Sequence, residues 1–315
     1  MNEDKHILNT EVRGEGDGLV LIHGFGGNIC SWRDMIPSLS QRRRVVAVDL
    51  LGHGDSPKPD DAEYSHLNQA RLVKERVDEL LMNRFVLCGH SYGGAVALQM
   101  AWNMFHVEPN GDRLSKKDSP NGDSETMIGR EANGDRLSEE GSDSERDRLS
   151  FERDRLEGII IVSGAAYPQE LPWHLKGMKS PFSVKLNEII KPESQMRLVL
   201  MNLFHNPLNI NRQIIADYAA PMRSPGYHHA LRQTVLNLVP PDADELSDRY
   251  RQLDIPALLI WGEKDNVVPP KIGEKLHQHL PQSQFNLLPD CGHMPMHERP
   301  MDVLNLIINW LEQIR

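Results

Sequence analysis

The chain has 315 residues, 39% of them hydrophobic, which is enough for a sizeable core in one large domain or two modest ones and rules out a small disulfide scaffold. A formal net charge of -10 and a pI of about 5.8 argue against the basic face that phosphate neutralisation requires, so a small molecule is the expected partner and nucleic acid is not. Cys30, Cys88 and Cys291 are odd in number and lack CxxC spacing, which favours free thiols in a reducing compartment over a zinc site or a disulfide framework. The chain opens on "MNEDKHILNTEVRGEGDGLV", with no apolar core of a signal peptide, and no later run reaches the roughly 18 apolar residues that cross a bilayer. A soluble, cytoplasmic protein with no membrane partner is expected.

Short β-branched runs then alternate with segments of helical period, the pattern of an α/β protein built on a mainly parallel sheet flanked by helices. Strands are expected at "LVLI" (19–22), "RVVAVDL" (44–50), "RFVLC" (84–88), "GIIIVS" (158–163), "ALLIW" (257–261) and "QFNLL" (284–288). Between them Val73, Val77, Leu80 and Leu81 mark one helical face, and Val303, Leu304, Ile307, Leu311 and Ile314 mark another.

Two segments interrupt the alternation. Residues 107–156 turn to Asp, Glu, Arg, Ser, Asn and Gly, repeat "NGDRLS" at 110–115 and 133–138, and over 108–155 carry a net charge of -5, half that of the chain. Such a composition cannot bury enough surface to offset its ordering entropy, so the segment reads as a disordered insertion between core parts 1–106 and 157–164. Residues 165–254 are rich in helix formers, in prolines that cut them into short helices, and in large apolar side chains. A helical cap over the strand ends is expected there, inserted before the last part of the core at 255–315. Its Trp173, Met201 and Met222, with Gly24 from the glycine loop, are the candidate substrate contacts in an apolar, adaptable pocket.

Chemistry concentrates at "LCGHSYGGAVALQM", residues 87–100, where Gly89-His90-Ser91-Tyr92-Gly93 stands between a strand and a helix. A G-x-S-x-G turn in that setting lifts the serine hydroxyl above the sheet edge, but the hydroxyl needs a positioned base, itself held by an acid. Loops after later strands offer both: Asp265 follows "ALLIW", and His293 follows "QFNLL" in "PDCGHMP". Glu263 and Asp290 stay open as the acid and His297 as the base. The donors for a developing oxyanion are expected to be the backbone N–H of Tyr92 and that of Phe25 in "LVLIHGFGGN", with Gly24 or Gly26 as alternatives. The same glycines lack the lysine of a phosphate loop, and the histidine pairs 228/229 and 277/279 do not share a helix face, so neither a nucleotide cofactor nor a metal is expected.

Together, "HGFGG", "DLLGHGDS", "GHSYGG", "WGEKDNVVP" and "CGHMPMHERP" resemble the α/β-hydrolase superfamily over residues 19–105 and 157–315. The resemblance implies the α/β-hydrolase fold, with Ser91 as nucleophile, His293 as base, Asp265 as its orienter, and Phe25 and Tyr92 as oxyanion donors. It implies a structural role for the turn of Asp49, Gly52, His53, Gly54 and Ser56, and a site-shaping role for His23 and His90. Serine at 91 disfavours the branches that use aspartate there, the dehalogenases and epoxide hydrolases. Cleavage of a carboxylic ester, thioester or lactone is the expected reaction. The alternatives are a carbon–carbon bond hydrolase, disfavoured by His90 and Gly26-Gly27, and a slow or non-catalytic ligand receptor on the same fold.

Overall fold

A computed structural model of the chain describes residues 6–106, 153–180 and 190–314, with only the backbone of 173 and 174. The disorder expected over residues 107–152 lies outside the described residues. Seven strands form one sheet: β1 (Thr10–Arg13), β2 (Gly18–Ile22), β3 (Arg44–Val48), β4 (Phe85–His90), β5 (Leu156–Val162), β6 (Ala257–Gly262) and β7 (Ser283–Leu288). Their order is β1-β3-β2-β4-β5-β6-β7, and every pair is parallel except β1 with β3.

The helices that cover the sheet include α1 (Ile36–Leu39), α2 (His66–Glu79), α3 (Tyr92–Phe105), α4 (Trp173–Met178), α5 (Pro192–Leu203), α6 (Arg212–Ala219), α7 (Tyr227–Leu236), α8 (Leu246–Arg251), α9 (Pro270–His279), α10 (Pro295–Glu298) and α11 (Pro300–Gln313). Successive strand residues alternate between two cores. Val20, Ile22, Val46 and Leu87 pack with α2 and α3 residues such as Val73 and Val96, whereas Leu19, Leu21, Val45 and Val86 pack with α11 residues such as Val303 and Ile307. Each such side chain, wholly removed from water, contributes roughly 1.5–3 kcal/mol, which fixes the strand register against a slip of one residue.

Three details depart from the expectations. Leu81 does not share the inner face of α2: the helix ends at Glu79, Leu81 turns out with φ 52° and is 81% exposed. The insertion read as 107–156 overruns the core, because Leu156 already belongs to β5 and buried Arg155 donates to Asp78 and to the Met82 carbonyl. β1 is not among the strands expected from the sequence. It is four residues long, three of them polar, and it adds to the sheet edge through backbone pairing with β3.

The order of the strands positions the site. β2 sends the chain one way to β3, and β4 then returns on the other side of β2, so the carboxyl ends of β2 and β4 open a crevice at the switch point. Between β5 and β6, the described residues form α4 to α8, and several of these helices line the space above that crevice.

Candidate active site

β4 passes into α3 through a single residue, Ser91, with φ 51° and ψ -116°. Holding a serine in this sparsely populated region costs on the order of 1–3 kcal/mol, and the surroundings over-determine it. Its N–H donates to the Val162 carbonyl at 3.0 Å, and its own carbonyl accepts from Gly94 and Ala165, each at 2.9 Å. The turn is tight enough that a Cβ on Gly93 would stand 2.4 Å from the carbonyl oxygens of Ile22 and His23. Glycine there is a requirement of the close approach of α3 to β2.

The structure brings Asp265 and His293 to this serine. Asp265 follows β6 and is buried; one carboxylate oxygen accepts from the Val267 and Val268 amides, both at 2.9 Å. The other lies 2.8 Å from His293 Nδ1, and His293 Nε2 lies 2.9 Å from Ser91 Oγ. The carboxylate accepts from Nδ1–H, which leaves the Nε2 lone pair facing the serine hydroxyl. The alternatives fall away: Glu263 is exposed beside Lys264, Asp290 is exposed, and His297 contacts Tyr218 instead.

Two residues whose contacts the sequence did not reveal hold the His293 loop. His90 donates from Nε2 to the His293 carbonyl at 2.8 Å, and burial keeps its imidazole well below the usual histidine range and therefore neutral. Glu298 accepts from the Gly292 amide at 2.8 Å and, through its other oxygen, from His205 and Asn206 at 2.8 and 3.1 Å, tying the loop to the end of α5. The only sequence signal for Glu298 is an acid five residues beyond the histidine, which does not reveal its partners.

The glycine loop after β2 is braced from below. Burial pushes His23 down to about 4, so it is neutral; Nδ1–H donates to the Gly24 carbonyl at 2.7 Å and Nε2 accepts from the Leu50 amide at 3.0 Å. Asp49 accepts from the Ile29 amide at 2.7 Å and from Asp55, while Ser56 donates to the Asp49 carbonyl. The Asp49–Ser56 turn thus locks the loops after β2 and β3 together. A Cβ on Gly24 would come within 3.1 Å of Ser91 Cβ, so the loop lies directly against the serine. Among the described residues, neither the Phe25 nor the Tyr92 backbone N–H has a protein acceptor.

Ser91 stands between two apolar cavities. The larger, about 480 Å³, is lined by Gly24, Met178, Met196, Met222 and Leu231 among others. The smaller, about 100 Å³, lies toward Leu98, Trp102 and Tyr167. Of the candidate substrate contacts, Gly24 and Met222 line the larger cavity, and the Trp173 side chain lies outside the described residues. Met201 is a correction: it is 48% exposed, because α5 turns Met196 and Leu200 inward and carries Met201 about 100° further round. Cys88 and Cys291 are buried, and burial pushes both thiols far up, which leaves half-buried Cys30 as the accessible one. Among the described residues no group of three His, Cys, Asp or Glu is placed to hold a metal, and no helix is long and apolar enough to cross a membrane.

Residues 19–305 match the Alpha/beta hydrolase family, and the chain belongs to that family. It is similar to the uncharacterized hydrolase YugF of Bacillus subtilis (strain 168), 26% identical over 284 residues that cover 90% of this chain and 85% of the relative. Among solved structures it resembles a thermophilic esterase from Thermogutta terrifontis (TM-score 0.70, 23% identity, 98% of this chain and 93% of that one). It also resembles a meta-cleavage product hydrolase from Pseudomonas fluorescens IP01 (TM-score 0.70, 18% identity, 98% and 95%).

Proposed function

We propose that this protein is a serine hydrolase that cleaves a carboxylic ester, thioester or lactone of a small, largely apolar substrate through an acyl-enzyme on Ser91. The observation that carries this reading is the unbroken chain from Asp265 through His293 to the Ser91 hydroxyl, at 2.8 and 2.9 Å, at the meeting point of two apolar cavities. His293 Nε2 takes the hydroxyl proton as Ser91 Oγ attacks the carbonyl carbon, and Asp265 stabilises the imidazolium that forms. The free Phe25 and Tyr92 amides receive the oxyanion. His293 then protonates the leaving alcohol, activates water against the acyl-enzyme and returns the proton to Ser91. The two cavities give the acyl and alcohol parts separate apolar space, and the helices between β5 and β6 act as the cap that keeps it from bulk water.

The test is hydrolysis of p-nitrophenyl esters from acetate to laurate by the wild type and by Ser91→Ala. The wild type is expected to turn over with an optimum at intermediate chain length, and Ser91→Ala to lose several orders of magnitude in rate. A Ser91→Ala protein that keeps a near-wild-type rate would overturn the assignment.

A further inference from the structure

The wall of the larger cavity carries a second polar chain, separate from the Asp265–His293–Ser91 hydrogen bonds. Ser31 and Tyr218 both line the cavity and are buried. Tyr218 Oη donates to Ser31 Oγ at 2.9 Å and lies 3.0 Å from His297 Nε2. Burial pushes His297 down to about 4, so its imidazole is neutral at pH 7 and only one ring nitrogen carries a proton. His297 Nδ1 is buried with no partner among the described residues. An orphaned buried N–H is rarer than an orphaned lone pair, so the proton belongs on Nε2. The direction of the whole chain follows: His297 Nε2–H donates to Tyr218 Oη, Tyr218 O–H donates to Ser31 Oγ, and the Ser31 hydrogen remains for an acceptor in the cavity.

We infer that Ser31, oriented by Tyr218 and His297, is a donor subsite that selects substrates bearing a second, uncharged oxygen acceptor, such as a ketone, beside the scissile ester. This names the substrate class of the cavity and rests on the ester reading given above. The acceptor is uncharged because, among the described residues, no cation contacts the Ser31–Tyr218–His297 chain: His297 is neutral, and Arg33, the nearby guanidinium, is paired with Asp217. A carboxylate brought into this apolar cavity would lose its hydration without a counter-charge. A neutral carbonyl replaces its water with the Ser31 hydroxyl, in surroundings otherwise supplied by side chains such as Met196, Met222 and Leu231.

The experiment measures binding of methyl octanoate and of methyl oxo-octanoates, the ketone moved from carbon 3 to carbon 7, to full-length Ser91→Ala by calorimetry, so that no ester is consumed. One oxo isomer is expected to bind about tenfold more tightly than methyl octanoate, the effect of one neutral hydrogen bond. Adding Ser31→Ala is expected to bring that ratio close to one. Tyr218→Phe, which removes the group that orients Ser31, is expected to lower it by a smaller factor and serves if Ser31→Ala does not fold. The proposal is overturned if no isomer outbinds methyl octanoate, or if the preference survives in the position 31 and position 218 variants. Wild-type hydrolysis of the same esters is a separate readout. A binding preference without turnover would keep the subsite and remove the ester reading.

Discussion

At the residue scale, the chemistry of the site turns on which hydrogen each side chain offers. Asp265 spends one oxygen on two backbone amides and aims the other at His293 Nδ1, so its position is fixed before it acts on the ring. Asp265→Asn keeps an acceptor for Val267 and Val268 but turns an NH₂ toward Nδ1, which forces the imidazole into the tautomer with its proton on Nε2. A fall in kcat of roughly 10⁴-fold with an unchanged melting temperature is predicted from steady-state kinetics and thermal unfolding, and a rate within tenfold of wild type would contradict it. Ser91, Asp265 and His293 were legible because each follows an apolar strand at the turn where such a sheet presents side chains. The resemblance implies a site-shaping role for His90 but not its partner, a carbonyl 203 positions away, and Glu298 was not legible at all, because both depend on contacts with backbone that only the folded loops bring near. The Ser31–Tyr218–His297 chain is likewise invisible in sequence, since its members come from the loop after β2, from α6 and from α10.

At the scale of elements, the strands that bury both faces were read correctly within a residue or two, since a run such as "GIIIV" has no polar face to present. β1 was missed for the opposite reason. Its Thr10–Arg13 carries little apolar signal, and backbone pairing at an edge does not depend on side chains. On α5, large apolar residues alone did not tell which would face the cavity; the phase of the helix decides. Met196 is 7% exposed and lines the cavity, whereas Met201 is 48% exposed. Met196→Ala is therefore predicted to lengthen the preferred acyl chain in the p-nitrophenyl ester series, and Met201→Ala to leave the profile unchanged. The same shift in both variants, or in Met201→Ala alone, would contradict the orientation of α5 and its part in the pocket.

At the scale of the whole molecule, the doubly wound strand order gathers loops from residues 23–27, 91, 265 and 293 around one crevice. The segment expected to be an insertion follows the far end of α3. α3 begins beside Ser91 and ends at Phe105, about 20 Å further along its axis, and the chain rejoins the core at the start of β5, at whose other end the Val162 carbonyl accepts from the Ser91 N–H. An added segment between α3 and β5 is thereby attached on the side of the sheet remote from the nucleophile. The sequence placed the insertion between these two elements but did not disclose this distance, which depends on the length and direction of α3. The proposed chemistry requires Ser91 to be an activated nucleophile, which treatment with a fluorophosphonate followed by intact-mass and peptide analysis tests. One phosphonyl adduct per chain, mapped to the Ser91 peptide and lost in His293→Ala, is the predicted result. No adduct, or one on another residue with Ser91 unmodified, would contradict it.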